Sequence, residues 1–187
     1  YSAGGTFFIT ICTNDGLCLF GDVIDGDVQF SDAGRMVSES WRALPTLHPS
    51  IAVDVFQVMP NHFHGVLLLA ASRDLSLADV IRRFKTFTAT RYIDGVRRQG
   101  WSPFRERLWQ RDYFEHVVRD DRSLARIREY IAANPANWET DPDNPASARG
   151  ARAPRSSSPM RTQGRDGAPP LRRQRPPTPR RPAPPSQ

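Results

Sequence analysis

Two histidines one residue apart, His62 and His64, stand at the head of the apolar run Gly65-Val66-Leu67-Leu68-Leu69. The run reads as a buried β-strand, in which residues two apart point to one face. The two imidazoles are therefore neighbours, with Phe63 on the opposite face, and such a pair can grip one divalent metal. Two ordinary surface histidines at a strand start fit the same spacing. Further along, Tyr130 and Asn134 are four apart in a helical segment, so they share a face about one turn from each other. A tyrosine hydroxyl can act as a nucleophile and form a covalent intermediate. It is weak at its ordinary pKa of about 10, and a metal beside the target phosphate offsets that weakness. The side-chain carbonyl of Asn134 and two imidazoles make a mixed N/O donor set suited to Mg²⁺ or Mn²⁺, with positions left for phosphate oxygens and water. Read alone, Tyr130 is equally a half-buried helix aromatic, and Asn134 a C-terminal cap before Pro135.

The elements that must position these groups follow from periodicity. Residues 6–13 are β-branched and aromatic and form a first core strand. Residues 18–30 read as a hairpin around Asp25-Gly26. Ser31 or Asp32 caps a helix to about Leu44, with Met36, Val37, Trp41 and Leu44 at helical spacing, and Pro45 and Pro49 break it. Residues 51–58 alternate as a second strand, and Pro60-Asn61 turns the chain into the histidine strand. A helix is expected over 77–92, a loop over 94–103, part of a strand within 108–118, and a last helix over 121–133, ended by Pro135. The order β-α-β-β-α-β-α, with an early inserted hairpin, predicts an α+β fold. It is a ferredoxin-like sandwich with a central antiparallel sheet.

Charge divides the chain of 187 residues unevenly. Residues 149–187 hold ten arginines and ten prolines against one acid, Asp166, for a net +9, whereas residues 1–148 carry −3. The high pI therefore belongs to the tail and does not make the folded part a nucleic-acid binder. The expected organisation is a domain over 1–143 and a disordered Arg/Pro-rich tail over 144–187. Cys12 and Cys18 support neither a disulfide scaffold nor a zinc site, so a reducing compartment is expected. No stretch is apolar for long enough to span a membrane, and no signal peptide is read.

The sequence resembles the HUH-type single-tyrosine transposases, and within them the bacterial REP-associated tyrosine transposases. The resemblance rests on Phe8-Ile9-Thr10-Ile11-Cys12, on Val58-Met59-Pro60-Asn61-His62-Phe63-His64-Gly65, on Phe84-Lys85, on the block 108–116 and above all on Arg126–Pro135; it covers about 5–143. It implies that His62 and His64 are metal ligands, that Asn134 completes the site and that Tyr130 is the nucleophile. It also implies a bacterial, cytoplasmic, nucleoid-associated enzyme acting on single-stranded DNA beside a hairpin. The tyrosine would become linked to the 5′ end, leaving a 3′-OH for strand transfer, as a monomer or a homodimer.

Two other functions fit the same residues. One is a domesticated hairpin-binding protein without cleavage, and the other is a metal-dependent phosphoesterase with no covalent step. Tyr113 and Tyr92 are rival nucleophiles without an amide at the matching place. Lys85, Arg82 and Arg83 are candidate contacts to the DNA backbone. His116 is a candidate phosphate contact and Trp109 a candidate stacking surface for a base. For each of these a structural role is the alternative.

Overall fold

The structure, a computed structural model, describes residues 4–73 and 75–150. Four strands build the central sheet: β1 (Gly5–Cys12), β4 (Ile51–Val58), β5 (His62–Leu69) and β6 (Phe114–Val118). They lie in the order β4-β5-β1-β6, every neighbouring pair antiparallel. The hairpin β2 (Gly21–Ile24) and β3 (Asp27–Phe30) forms a separate two-stranded sheet. Its turn has positive φ at both Asp25 (52°) and Gly26 (81°), the backbone that an Asp-Gly hairpin turn requires. The α+β architecture with a central antiparallel sheet is the one expected.

The helices divide between the two faces of this sheet. On one face, Ile9, Ile11, Phe63, Leu67 and Leu69 form the larger core with α1 (Asp32–Arg42) and α3 (Leu77–Gln99). On the other face, Phe8 and Val66 pack with Ile131 of α4 (Asp121–Ala133). Helix starts follow their caps. Ser31 accepts from the Gly34 N–H, Ser76 and Asp79 make a reciprocal capping box, and Asp120 accepts from the Ser123 N–H.

Four expectations change. Helix α3 runs to Gln99, through the stretch expected to be a loop, and ends at Gly100 with φ 71°. Gly95 sits inside it because the Trp101 ring packs there; a Cβ on Gly95 would lie 2.3 Å from that ring. Pro45 does not stop helical structure but occupies the first turn of the short α2 (Leu44–Leu47), where its missing N–H costs nothing. Pro135 likewise opens a 3₁₀ turn (Pro135–Thr140) that continues directly from α4. The short α5 (Pro145–Gly150) then lies in what was expected to be tail. The rest of that tail, 151–187, falls outside the described residues. Among the described residues no helix is long and apolar enough to cross a membrane.

Candidate functional site

Strand β5 places His62 and His64 on the face covered by α4, because Phe63 between them enters the larger core. Both imidazoles are almost wholly buried, and their ring centroids lie 4.6 Å apart. Strand register sets their surroundings. His64 is flanked by Thr10 on β1 and Gln57 on β4, and His62 stands opposite Cys12. The Thr10 hydroxyl is 2.8 Å from His64 Nδ1, and Asn61 Oδ1 is 2.9 Å from His62 Nδ1. Nδ1 of each ring is thus held by a neighbouring side-chain oxygen, and Nε2 of each is buried.

Helix α4 brings the second half of the site. Ile131, its one buried residue, anchors it against Phe8 and Val66. Arg128 reaches the Asp54 carboxylate at 2.6 Å, beside the bulge that interrupts β4 between Val53 and Phe56. This docking seats the Tyr130 ring 5.3 Å from the His64 ring and 6.0 Å from Phe8, edge-on to both. The tyrosine remains about half exposed (47%), so the site opens to solvent at its hydroxyl-bearing residue. One turn on, Asn134 is buried, and its Oδ1 has no hydrogen-bond partner among the described residues. Its backbone is right-handed helical, so it is not a left-handed C-cap of the Gly/Asn kind. The following 3₁₀ turn lays Trp138 against His62, ring centroids 6.0 Å apart.

The donor chemistry fits a divalent metal. Two imidazoles have Nδ1 held by a neighbouring oxygen, which is the usual support of a metal-binding histidine. The buried amide oxygen of Asn134 lacks, among the described residues, the partner that a buried carbonyl normally has. Among the described residues no group of three or more His, Cys, Asp or Glu side chains is placed to hold a metal ion.

The rival tyrosines differ in kind. Burial raises the hydroxyl pKa of Tyr92, which donates to the Ser102 carbonyl. Burial and then Glu115 push Tyr113 well above the ordinary phenol range. Both belong to the α3 side of the sheet.

Three of the candidate DNA contacts, Arg82, Lys85 and Trp109, line one groove, and His116 lies on β6. Arg82 pairs with Asp79 and Arg83 bonds to His48. Lys85 donates to the carbonyls of Arg111 and Asp112, and burial lowers its pKa. A groove of ≈ 640 Å³ runs between α3 and residues 104–113, lined in part by Arg82, Lys85 and Arg111. Trp109 is 3% exposed, packed between Phe20 and Phe84, with its indole N–H on Thr88. It belongs to the larger core. His116 is exposed on β6 opposite Phe8, on the histidine side of the sheet. Thr10 and Asn61 carried no sequence expectation of a role. Pairing of the first strand with the histidine strand would have pointed to Thr10.

Comparison with known proteins defines the class. Residues 47–134 match the family model described as "Transposase IS200 like". An uncharacterised protein of Haemophilus influenzae is 34% identical over 164 residues, spanning 75% of this chain and 86% of that one. The chain belongs to the IS200-like transposase family. Within it, a second Haemophilus influenzae protein, named as a candidate REP-associated tyrosine transposase, is 29% identical over 139 residues and 72% of each chain. A solved REP-associated tyrosine transposase bound to a REP hairpin shares the fold, with TM-score 0.52 and 20% identity over 73% of this chain and 70% of that one.

Proposed function

We propose that the protein is a metal-dependent single-stranded DNA endonuclease and strand transferase, acting on hairpin-bearing, REP-like DNA in transposition. The observation that carries this reading is the seating of Tyr130 against His64 on the helix whose next turn presents Asn134. Family membership supports transposition, and the hairpin held by the structural relative supports the substrate class.

Tyr130 supplies the attacking oxygen. Its Oη bonds to the scissile phosphorus as the bond from phosphorus to the 3′ oxygen breaks. The phenol loses one proton and the departing 3′-OH gains one. The 5′ end stays on the tyrosine, and attack by another 3′-OH reverses the exchange and joins strands. One phosphodiester bond is traded for another, so no nucleoside triphosphate is consumed. A Mg²⁺ or Mn²⁺ held by His62, His64 and Asn134 would supply charge neutralisation at the phosphoryl oxygen.

A labelled single-stranded REP-like hairpin incubated with Mg²⁺ or Mn²⁺ will give a denaturant-resistant protein–DNA adduct, lost in Tyr130→Phe and on chelation. An undiminished adduct in Tyr130→Phe refutes the assignment. Hairpin binding with no cleavage would instead mark a binding protein, and water-derived oxygen in the product without an adduct would mark a phosphoesterase.

A further inference from the structure

Asn61 sits on the turn between β4 and β5, 2% exposed, and its amide bridges three parts of the chain. Nδ2 donates to the Asp143 carbonyl at 2.7 Å and to the Gly16 carbonyl at 3.2 Å. Backbone carbonyls only accept, so these two bonds fix which end of the amide is nitrogen. The oxygen must then be the atom 2.9 Å from His62 Nδ1. An amide oxygen also only accepts, so Nδ1 of the neutral ring carries the proton. The lone pair of the neutral His62 ring is then on Nε2, on the face of β5 that His62 shares with His64.

The Asp143 contact has a second consequence. Residues 135–144 follow directly on Asn134, and they fold on themselves through Asn144 donating to the Trp138 carbonyl. Holding Asp143 therefore holds the segment that leaves α4 against the start of the histidine strand, with Trp138 beside His62. The Asn61 backbone is pinned as well, its carbonyl accepting from the Thr13 N–H at 2.8 Å.

We infer that Asn61 is a positioning residue with two tasks, resting on the reading of His62 and Asn134 as metal donors. Its oxygen selects the His62 tautomer that presents Nε2 to the site, and its nitrogen clips the segment after Asn134 onto the histidine strand. Supports of this kind change metal affinity by about 10–100-fold when removed.

The tautomer is read in metal-free protein by long-range ¹H–¹⁵N correlation of labelled histidines, above the histidine pKa of about 6.5. His62→Gln assigns the signal. The parent will show His62 protonated on Nδ1. Asn61→Ala will shift it toward Nε2–H, speed amide exchange over 135–144 and weaken Mn²⁺ binding, followed by loss of the free-ion electron resonance signal, about 10–100-fold. Asn61→Asp keeps an acceptor but loses the donor, so His62 stays protonated on Nδ1 while exchange over 135–144 still rises. Nε2–H in the parent, an unchanged tautomer in Asn61→Ala, or unchanged exchange in Asn61→Asp overturns the inference. Should Asn61→Ala not fold, the parent and Asn61→Asp decide it alone. A parent with the Nδ1–H tautomer that binds no Mn²⁺ overturns the metal reading instead, so the two failures are distinguishable.

Discussion

Replacing Ile131 with alanine tests whether the nucleophile's helix is held by the small core on the histidine face. Ile131 is fully buried and is the one buried residue of α4, packed on Phe8 and Val66. Ile→Ala at a buried position costs about 2–5 kcal/mol, the spread reflecting how far the cavity collapses. Around this site Val55, Val118, Leu124 and Ile127 are only partly buried and have room to move inward. The cost should therefore fall at the low end, about 2–3 kcal/mol. Against a total stability of about 5–15 kcal/mol the variant stays folded. At about 2–4 °C per kcal/mol for a domain of this size, Tm drops about 4–12 °C. Ile131→Val should cost about 1 kcal/mol. Denaturant titration measures the cost, and amide exchange shows where it falls. Exchange should rise more over 121–133 than over 77–99, because α3 belongs to the other core. Adduct formation should drop by more than the unfolded fraction accounts for. A cost under about 1 kcal/mol for Ile131→Ala, or an equal rise of exchange in both helices, refutes the reasoning.

Two further outcomes concern the same helix. Arg128→Ala should cost less than about 1 kcal/mol, because the Arg128 side chain is 52% exposed and solvent screens its pair with Asp54. The loss should shrink further in high salt, checked by denaturation at two ionic strengths. Asp120 caps α4, and its bonds from the Ser123 N–H and hydroxyl hold its carboxyl below the ordinary 3.8. A depressed folded pKa contributes stability that is present above the unfolded value and lost as pH falls through the folded one. Exchange protection of α4 should therefore weaken below about pH 4, and Asp120→Asn should flatten that dependence.

Local signals were legible because local chemistry decides them. Asp25-Gly26 marked the hairpin, and Ser31, Ser76 and Asp120 stand where capping residues belong. The period of two put His62 and His64 on one face, and the four-residue spacing did the same for Tyr130 and Asn134. What the sequence did not disclose is tertiary. Asp94-Gly95 looks like a helix breaker, yet Gly95 lies mid-helix to admit the Trp101 ring. Whether Trp109 packs or stacks is open in the sequence, and its burial against Phe20 and Phe84 is a tertiary outcome. That α4 crosses the histidine face at all depends on Phe8, Val66 and Ile131, far apart in the chain. The support of His62 by Asn61 depends on Asp143, which periodicity cannot connect to it.

The neutrality of the donor set has a consequence of its own. As proposed, two imidazoles and an amide would place no formal charge on a bound dication and would leave its charge for phosphate oxygens. Asn134→Asp alters that balance at a residue 3% exposed. Without an ion, a carboxylate there is buried, and the desolvation penalty disfavours its charged form. The variant should therefore melt below the parent in chelator. Added Mn²⁺ should restore it by more than it stabilises the parent, since a ligand bound only by the folded state raises stability as RT ln(1 + [L]/Kd). Asn134→Leu, with no donor, should lose the parent's Mn²⁺ response while keeping its own chelator Tm. Thermal melts with chelator, Mg²⁺ and Mn²⁺ separate these cases without reference to DNA cleavage. If Mn²⁺ moves parent, Asn134→Asp and Asn134→Leu by the same amount, Asn134 does not hold the ion, and the proposed site must find its third donor elsewhere.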